Sequence, residues 1–247
     1  GFVATVVTTM GTTLGALLCV LTLGYLLIVE PLPYPEQEKL YKVIHAIGDK
    51  TGETNATAFT YPGLIHLYKN QDVFEKTALI QYGEDVLTSL PNQPTLNTGY
   101  ATPEWFELLG AKMQMGRTFE ATEALDTFNP VAIISYKLWQ DEFASAADML
   151  DKKVSFSGVS YRVIGVLGEN FVEPQIRQAG RDVGMWFPWD YNLDARFKER
   201  WGNISGALTF VGKLKDTLSA KQAEQTISPL VNDTWVENVA NCFRQYR

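Results

Sequence analysis

The stretch that decides the fold is residues 2–29, FVATVVTTMGTTLGALLCVLTLGYLLIV, in which no residue carries a charge. All 28 acidic and 21 basic residues of the 247-residue chain lie at Glu30 or beyond it. A helix over this stretch is about 42 Å long at about 1.5 Å per residue, whereas the hydrocarbon core of a bilayer is about 30 Å thick. Residues 1–29 are therefore predicted to form a transmembrane helix that also projects beyond one side of the membrane.

A cleaved signal peptide is the main alternative for this stretch. Signal peptides have a basic start, a short apolar segment and a small-residue cleavage site. Here the chain begins at Gly1 without a basic flank, the apolar run is longer, and no such site follows in residues 30–35, EPLPYP. We expect an uncleaved span, preceded in the whole protein by residues that this sequence does not include.

Small and hydroxyl-bearing residues recur along one face of this helix at spacings of three and four. Such residues let helix backbones approach closely in lipid, where packing drives association. The pattern predicts a helix packed in a bundle; a lone anchor is the alternative, because Gly is common in membrane helices in any case. The predicted packing face consists of Thr5, Thr8, Gly11, Thr12, Gly15, Cys19 and Thr22.

Residues 30–36 form a proline-rich exit from the predicted span, with Tyr34 among Pro31, Pro33 and Pro35. Proline lacks a backbone donor and disfavours helix at the residue before it, so the helix is expected to end here. The exit is either a hinge that couples the helix to the body or a plain helix stop. The sequence favours the hinge and the helix stop to the same extent.

The body, residues 37–247, is predicted to be an α+β domain of mixed strands and short helices, because its helix and strand signals interleave irregularly. Residues 168–206 are Gly-rich and irregular, and are either a subdomain or a long excursion. Strands are expected at 40–45, 73–82, 95–101, 131–134, 152–156, 160–166, 184–188 and 207–214, and helices are expected to begin at Thr60, Thr102, Ser135 and Ser219.

Composition and motifs exclude most kinds of chemistry. The net charge of −7 disfavours nucleic-acid binding, which needs a basic face, and Cys19 and Cys242 are too few for a disulfide scaffold. The chain has no phosphate-binding loop and no dinucleotide fingerprint, and His45 and His66 stand alone, so no metal, cofactor or catalytic site is predicted.

Two weaker sequence signals for a functional site each have a simpler structural explanation. Asp182, Asp190 and Asp194 would suit an anchored hydrolase, but acidic loop residues are usually just solvated. Residues 186–189, WFPW, would suit a binding platform, although a buried strand end explains them better.

Several segments together resemble the MacB-like periplasmic core domain of FtsX-like ABC transporter permeases. They keep the order and spacing of that family over nearly the whole chain. A departure is Asp151, where the family usually has glycine, so a changed turn is expected there. The matching segments are 31–35 (PLPYP) with Leu40, 59–62 (FTYP), 100–110 (YATPEWFELLG), 115–119 (MGRTF), 130–139 (PVAIISYKLW), 161–166 (YRVIGV), 170–171 (NF) and 211–215 (VGKLK) with Ala223.

The resemblance implies a non-catalytic permease subunit with four spans, of which this sequence contains the first. It implies a dimer with a second permease subunit, a separate or fused ABC-type ATPase as partner, and in some members a periplasmic adaptor. It also implies that the body lies in the periplasm of a bacterium, anchored in the inner membrane. ATP hydrolysis would move the body to export or extract a substrate.

The rival hypothesis is a single-pass, membrane-anchored sensor or binding module outside the cell. Long domains cross the membrane largely regardless of their charge, so the charge of the body does not determine its side of the membrane. We expect the body to lie outside the cytoplasm. Both hypotheses place the chain against a lipid bilayer, and neither involves nucleic acid.

Overall fold

A computed structural model describes residues 1–28, 33–45, 47–48, 54–55, 59–127, 129–156, 158–174, 176, 180–189, 198–202 and 204–245. The chain divides into two compact units, Gly1–Gln37 and Glu38–Arg247. The helices are α1 (Phe2–Ile28), α2 (Tyr61–Asn70), α3 (Glu104–Leu108), α4 (Tyr136–Phe143) and α5 (Ala220–Gln245), with short 3-10 helices at Gln37–Lys39 and Ala121–Glu123. The strands are β1 (Leu40–Val43), β2 (Ile47–Gly48), β3 (Thr54–Asn55), β4 (Phe59–Thr60), β5 (Phe74–Val86), β6 (Thr95–Ala101), β7 (Met113–Gly116), β8 (Val131–Ile134), β9 (Lys153–Phe156), β10 (Val159–Leu167), β11 (Val183–Pro188), β12 (Ile204–Ser205) and β13 (Leu208–Leu214).

The first unit is dominated by the single helix α1, whose 27 residues confirm the predicted helix. The part Phe2–Tyr25 is long and apolar enough to cross a membrane, and none of it is buried by the described residues. Apolar side chains without a protein cover are typical of a helix whose surroundings are lipid.

The second unit is built on a mixed sheet, which confirms the predicted α+β class. Nine of the described strands join it, in the order β1-β13-β5-β6-β11-β8-β10-β7, with β9 also paired to β10. The pairs β6–β11 and β8–β10 are parallel and the other pairs antiparallel. Strand β11 lies in the middle of this sheet, so part of residues 168–206 belongs to the main sheet.

Local signals in the sequence account for the starts and ends of the short helices. The Thr60 hydroxyl accepts a hydrogen bond from Gly63 N at 3.2 Å, and the Ser135 hydroxyl accepts one from Leu138 N at 3.0 Å. These caps satisfy amide groups that have no partner inside the helix. Gly110 follows α3 with φ +64, the left-handed conformation in which many helices end. The predicted starts and this stop are confirmed.

Among the described residues, two hydrophobic clusters contribute to the core of this unit. One surrounds Leu64 and Phe210 and includes Ala223 and Ile227 of α5. The other surrounds Val163 and Phe187 and includes Leu138 and Trp139 of α4. All four residues of β8 are buried, and Ala132 and Ile134 lie in the cluster that includes α4.

Candidate functional site

The predicted packing face of α1 is exposed in the described part of the chain. A side chain added at Gly11 or Gly15 would meet nothing within 4 Å among the described residues. The threonine hydroxyls donate within the helix: Thr8 Oγ1 to Ala4 O at 2.9 Å, and Thr12 Oγ1 to Thr8 O at 3.0 Å. Because these hydroxyls are already satisfied, the face offers methyl groups and bare backbone, which suits close helix packing in lipid. Its packing role stays a prediction.

The exit from α1 contains a conformation that is unusual for its residue type. Pro33, Tyr34 and Pro35 lead into Glu36, whose φ of +46 lies in the left-handed region. Residues other than glycine seldom adopt it, since it costs about 1–2 kcal/mol. Pro31 lies outside the described residues. The hinge role of this segment stays a prediction.

Strand β1, which follows this exit, is firmly attached to the sheet. It pairs with β13 along its whole length, from Leu40 opposite Lys213 to Val43 opposite Phe210. The Lys39 ammonium group lies 2.7 Å from the carboxylate of Asp216, in the turn between β13 and α5. The start of the domain is thereby joined to the strand that leads into its last helix.

A groove of about 560 Å³ lies at one end of the sheet. There β8 and β10 end, β6 and β11 begin, and α4 starts. One wall of the groove is residues 168–174, which we call the strap. Its charged lining residues are Lys137, Asp141, Glu142, Glu169, Glu173 and Asp182.

Glu173, on the strap, is a buried carboxyl group. It is 7% exposed, and its Oε1 accepts a hydrogen bond from the Tyr82 hydroxyl at 2.7 Å. Burial raises the pKa of Glu173 to about 7, and the hydroxyl of Tyr82 opposes this rise. The indole N–H groups of Trp105 and Trp186 also act to lower the pKa of Glu173. Neither N–H forms a hydrogen bond of regular geometry with a described residue. The sequence did not predict this site, because no residue pattern around Glu173 indicates that its side chain is buried.

A second buried acidic group, Glu123, has a structural role. Arg117 donates to both of its carboxylate oxygens, at 2.8 and 2.9 Å, and Glu120 N donates at 2.8 Å. Burial acts to raise the pKa of Glu123, but these donors prevail and hold it below its usual range. The GRTF segment of the sequence thus orders the turn after β7.

The carboxylates considered for a hydrolase do not form a site among the described residues. Asp182 is exposed, with its Oδ2 3.6 Å from Lys137 Nζ. Asp190 and Asp194 lie outside the described residues. Within the described ranges, no group of three or more His, Cys, Asp or Glu side chains could hold a metal ion.

The aromatic segment 186–189 belongs to the core, as the simpler interpretation predicts. Trp186, Phe187 and Trp189 are each at most 1% exposed. The Trp186 ring lies 5.7 Å from the ring of Phe171 on the strap, and Trp189 stacks on Tyr61 at 6.3 Å. A surface platform for a ligand would need these faces open, so that hypothesis is wrong.

The fold and this site define a membrane-anchored α+β domain with a groove at one sheet end. A family model, the MacB-like periplasmic core domain, matches residues 5–230. The chain belongs to this family, as its segments 31–35 to 211–215 indicate, and its sheet and helices match the fold of the periplasmic region of MacB.

Solved structures show the same fold. The periplasmic region of MacB from Actinobacillus actinomycetemcomitans is 16% identical, with a TM-score of 0.55 over 80% of this chain and 84% of that one. The extracellular domain of the ABC-type transporter YknZ from Gram-positive bacteria is 19% identical, with a TM-score of 0.55 over 79% and 94%. No curated protein matches the sequence.

Proposed function

We propose that this chain is the anchoring helix and periplasmic domain of an ABC transporter permease subunit. In this proposal a partner ATPase hydrolyses ATP in the cytoplasm, and the periplasmic domain moves to export or extract a substrate. The subunit itself is non-catalytic. The bacterial inner membrane is its location.

The observation that carries this proposal is the attachment of β1 to the sheet. Strand β1 starts at Leu40, five residues after Pro35, and pairs throughout with β13, which in turn pairs with β5. A displacement applied at the exit therefore acts on a paired sheet with a close-packed core. Such interiors deform little, so the domain is expected to move as one body.

The face of α1 supports a second part of the proposal. A helix with Gly11, Gly15 and internally bonded threonines suits contact with other spans of the same permease or with a second permease subunit. We include the bilayer, a second permease subunit and the ATPase among the partners. A periplasmic adaptor is a further partner of this class.

A single-pass sensor or binding module is the second candidate, and the groove of about 560 Å³ favours it. Pockets of this size commonly hold small molecules. The downstream reading frame separates the two candidates. A permease requires further apolar spans after the domain, whereas a single-pass module has none.

To test the proposal, the full-length protein is purified from its native membrane with and without its bound ATPase. Each preparation is reconstituted into nanodiscs and its ATP hydrolysis is measured. We expect ATP hydrolysis from the complex and none from the permease alone. The matched control is the same complex with an ATPase whose phosphate-loop lysine is replaced by alanine. Hydrolysis by the permease alone, or no ATPase bound to the full-length protein, would contradict the proposal.

A further inference from the structure

The groove at the end of the sheet has a partly apolar interior. Leu96 of β6 and Phe171 of the strap are half-buried among its lining residues, and Val172, next to Phe171, is 50% exposed. The groove volume of about 560 Å³ is within the range of sites that hold a ligand. The groove therefore has room for an apolar side chain of a bound molecule.

The rim of the groove is acidic. Asp141 and Glu142 of α4 and Glu169 of the strap line it, and none of the three has a basic partner among the described residues. Lys137 is the basic residue among the described lining residues, and its Nζ lies 3.6 Å from Asp182 Oδ2, which offsets its charge. The described rim thus keeps a net negative charge and attracts cations.

Thr95, the first residue of β6, has a backbone edge that does not face β5. In an antiparallel pair, alternate residues point their N–H and C=O groups at the partner strand. Pro94 O accepts from Leu87 N at 3.0 Å at the start of β6, and Thr102 N donates to Leu79 O at 3.1 Å just after its end. The even-numbered positions therefore bond to β5, and Thr95 points its N–H and C=O to the other side.

No described backbone group pairs with Thr95 on that other side. Strand β11 lies there, but its pairing with β6 begins further along, at Asn97 opposite Val183. An unpaired N–H and C=O on a strand edge can bond to an extended segment of another chain. Because Thr95 also lines the groove, a segment that lies in the groove can bond to this edge.

We propose that the groove binds an extended basic segment of another polypeptide. The backbone of the segment pairs with Thr95, its basic side chains lie at the rim, and an apolar side chain between them contacts Phe171, because alternate side chains of an extended chain point to opposite sides. A second copy of this chain fits less well, because its net charge is −7. This binding needs no ATPase, so it does not depend on the proposed transport function.

The test measures peptide binding to the full-length protein in nanodiscs of phosphatidylcholine, whose headgroup has no net charge. The probe is a fluorescent peptide of about eight alternating Lys and Val residues, the Lys–Val peptide, and its anisotropy reports binding. We expect saturable binding that weakens as salt is raised. The matching Glu–Val peptide should bind at least about tenfold more weakly, because its charges repel the rim.

Two substitutions test the rim. Asp141→Asn and Glu169→Gln should each weaken binding of the Lys–Val peptide about two- to fivefold, because each removes the partner of a basic side chain. Glu224→Gln makes the same change of charge on α5, away from the described lining of the groove, and should leave binding unchanged.

Two further substitutions test the backbone edge. Thr95→Pro removes the N–H that faces the groove without removing a bond to β5, and should weaken binding about fivefold. Thr95→Val keeps this N–H and should bind the Lys–Val peptide as the unsubstituted protein does.

Equal binding of the Lys–Val and Glu–Val peptides, or binding of neither, would overturn the proposal. So would Asp141→Asn and Glu169→Gln variants that bind as tightly as Glu224→Gln, or a Thr95→Pro variant that binds as tightly as Thr95→Val. If Thr95→Pro fails to fold, a Lys–Val peptide with an N-methylated backbone decides. Weaker binding of the methylated peptide supports the proposal, and equal binding overturns it.

Discussion

Lys39 and Asp216, which are far apart in sequence, form an ion pair with Nζ and Oδ1 separated by 2.7 Å. The pair connects the 3-10 helix Gln37–Lys39 to the turn that precedes α5. The lysine side chain is 30% exposed and the aspartate 76% exposed, so water screens their attraction. We therefore regard the strand pairing of β1 with β13 as the main attachment and the ion pair as a minor addition.

This ranking predicts a small coupling energy between the two residues. A double-mutant cycle with Lys39→Gln and Asp216→Asn should give about 0.2–1 kcal/mol in the free energy of unfolding, decreasing as salt is raised. Urea unfolding of the full-length protein in detergent measures it. The looser pair Lys137–Asp182, at 3.6 Å, is the control and should give less. A coupling well above 1 kcal/mol that is insensitive to salt would contradict the ranking.

Gly116 is predicted to tolerate no side chain. Its φ is +75, and a Cβ would lie 2.1 Å from Ile164 O in the neighbouring strand β10. Gly116→Ala should lower the free energy of unfolding by about 2–5 kcal/mol, because backbone strain and a backbone clash combine. Urea unfolding measures the loss.

Gly158 provides the matched control for that substitution. Its φ of +78 is nearly the same, but a Cβ there would meet nothing within 4 Å among the described residues. Gly158→Ala should therefore cost only the conformational strain, about 1 kcal/mol. Equal losses in the two variants would show that the clash at Gly116 is relieved by movement of β10.

Glu173 should make the stability of the domain depend on pH. Its pKa of about 7 in the folded protein lies above the ordinary value of 4.5, so the folded state binds this proton more tightly than the unfolded state. The free energy of unfolding should consequently fall as pH rises from about 4.5 to 7, by about 3 kcal/mol, and then level off. The difference between wild type and Glu173→Gln, measured by urea unfolding at several pH values, isolates this group.

Glu169→Gln, which removes a carboxylate from the same strap, is the control. That variant should follow the wild-type curve, because Glu169 is exposed. If wild type and Glu173→Gln have parallel curves from pH 4.5 to 7.5, the carboxyl group of Glu173 is not buried as described.

Substitutions on the packing face of α1 should weaken association of the protein in the membrane more than a substitution on the opposite side of the helix. Gly11→Leu and Gly15→Leu should each weaken association about tenfold, because a large side chain separates helix backbones that would otherwise touch. Energy transfer between labelled proteins in liposomes measures this. Val6→Leu, on the opposite side, is the control and should change little. Equal effects on both sides would contradict packing through this face, and no measurable association in the unsubstituted protein would support a lone anchor.

The sequence predicted those parts of the fold that short segments determine. The hydroxyls of Thr60 and Ser135 cap helices within three residues of themselves, and Gly110 ends α3 by its own backbone freedom. The uncharged run 2–29 determines α1 in the same way. These features depend on neighbouring residues only, so the sequence shows them directly.

The parts that could not be predicted depend on residues far apart. The pairing of Leu40 with Lys213 joins the two ends of the domain, and no local sequence pattern predicts it. Glu173 is buried at a place where Tyr82, Trp105 and Trp186, on three separate elements, converge on it.

Asp151 illustrates an intermediate case. The sequence led us to expect a changed turn where the family usually has glycine. Asp151 has φ +67, a conformation that glycine adopts freely and aspartate tolerates, and its carboxylate accepts from Arg162 Nη1 at 2.9 Å. The aspartate thus takes a backbone conformation suited to the glycine, with a side-chain bond that helps to hold it.

The central claim is that the periplasmic domain moves as one body when a partner hydrolyses ATP, and a pair of spin-label distances tests it most directly. Labels at Leu23 of α1 and Lys221 of α5 report movement between helix and domain, whereas labels at Tyr41 and Lys221 report the domain alone. In the full-length permease with its ATPase, we predict that the first distance differs between the nucleotide-free and ATP-bound states and that the second stays the same. A first distance that is identical in both states, or a second that changes as much as the first, would contradict the account.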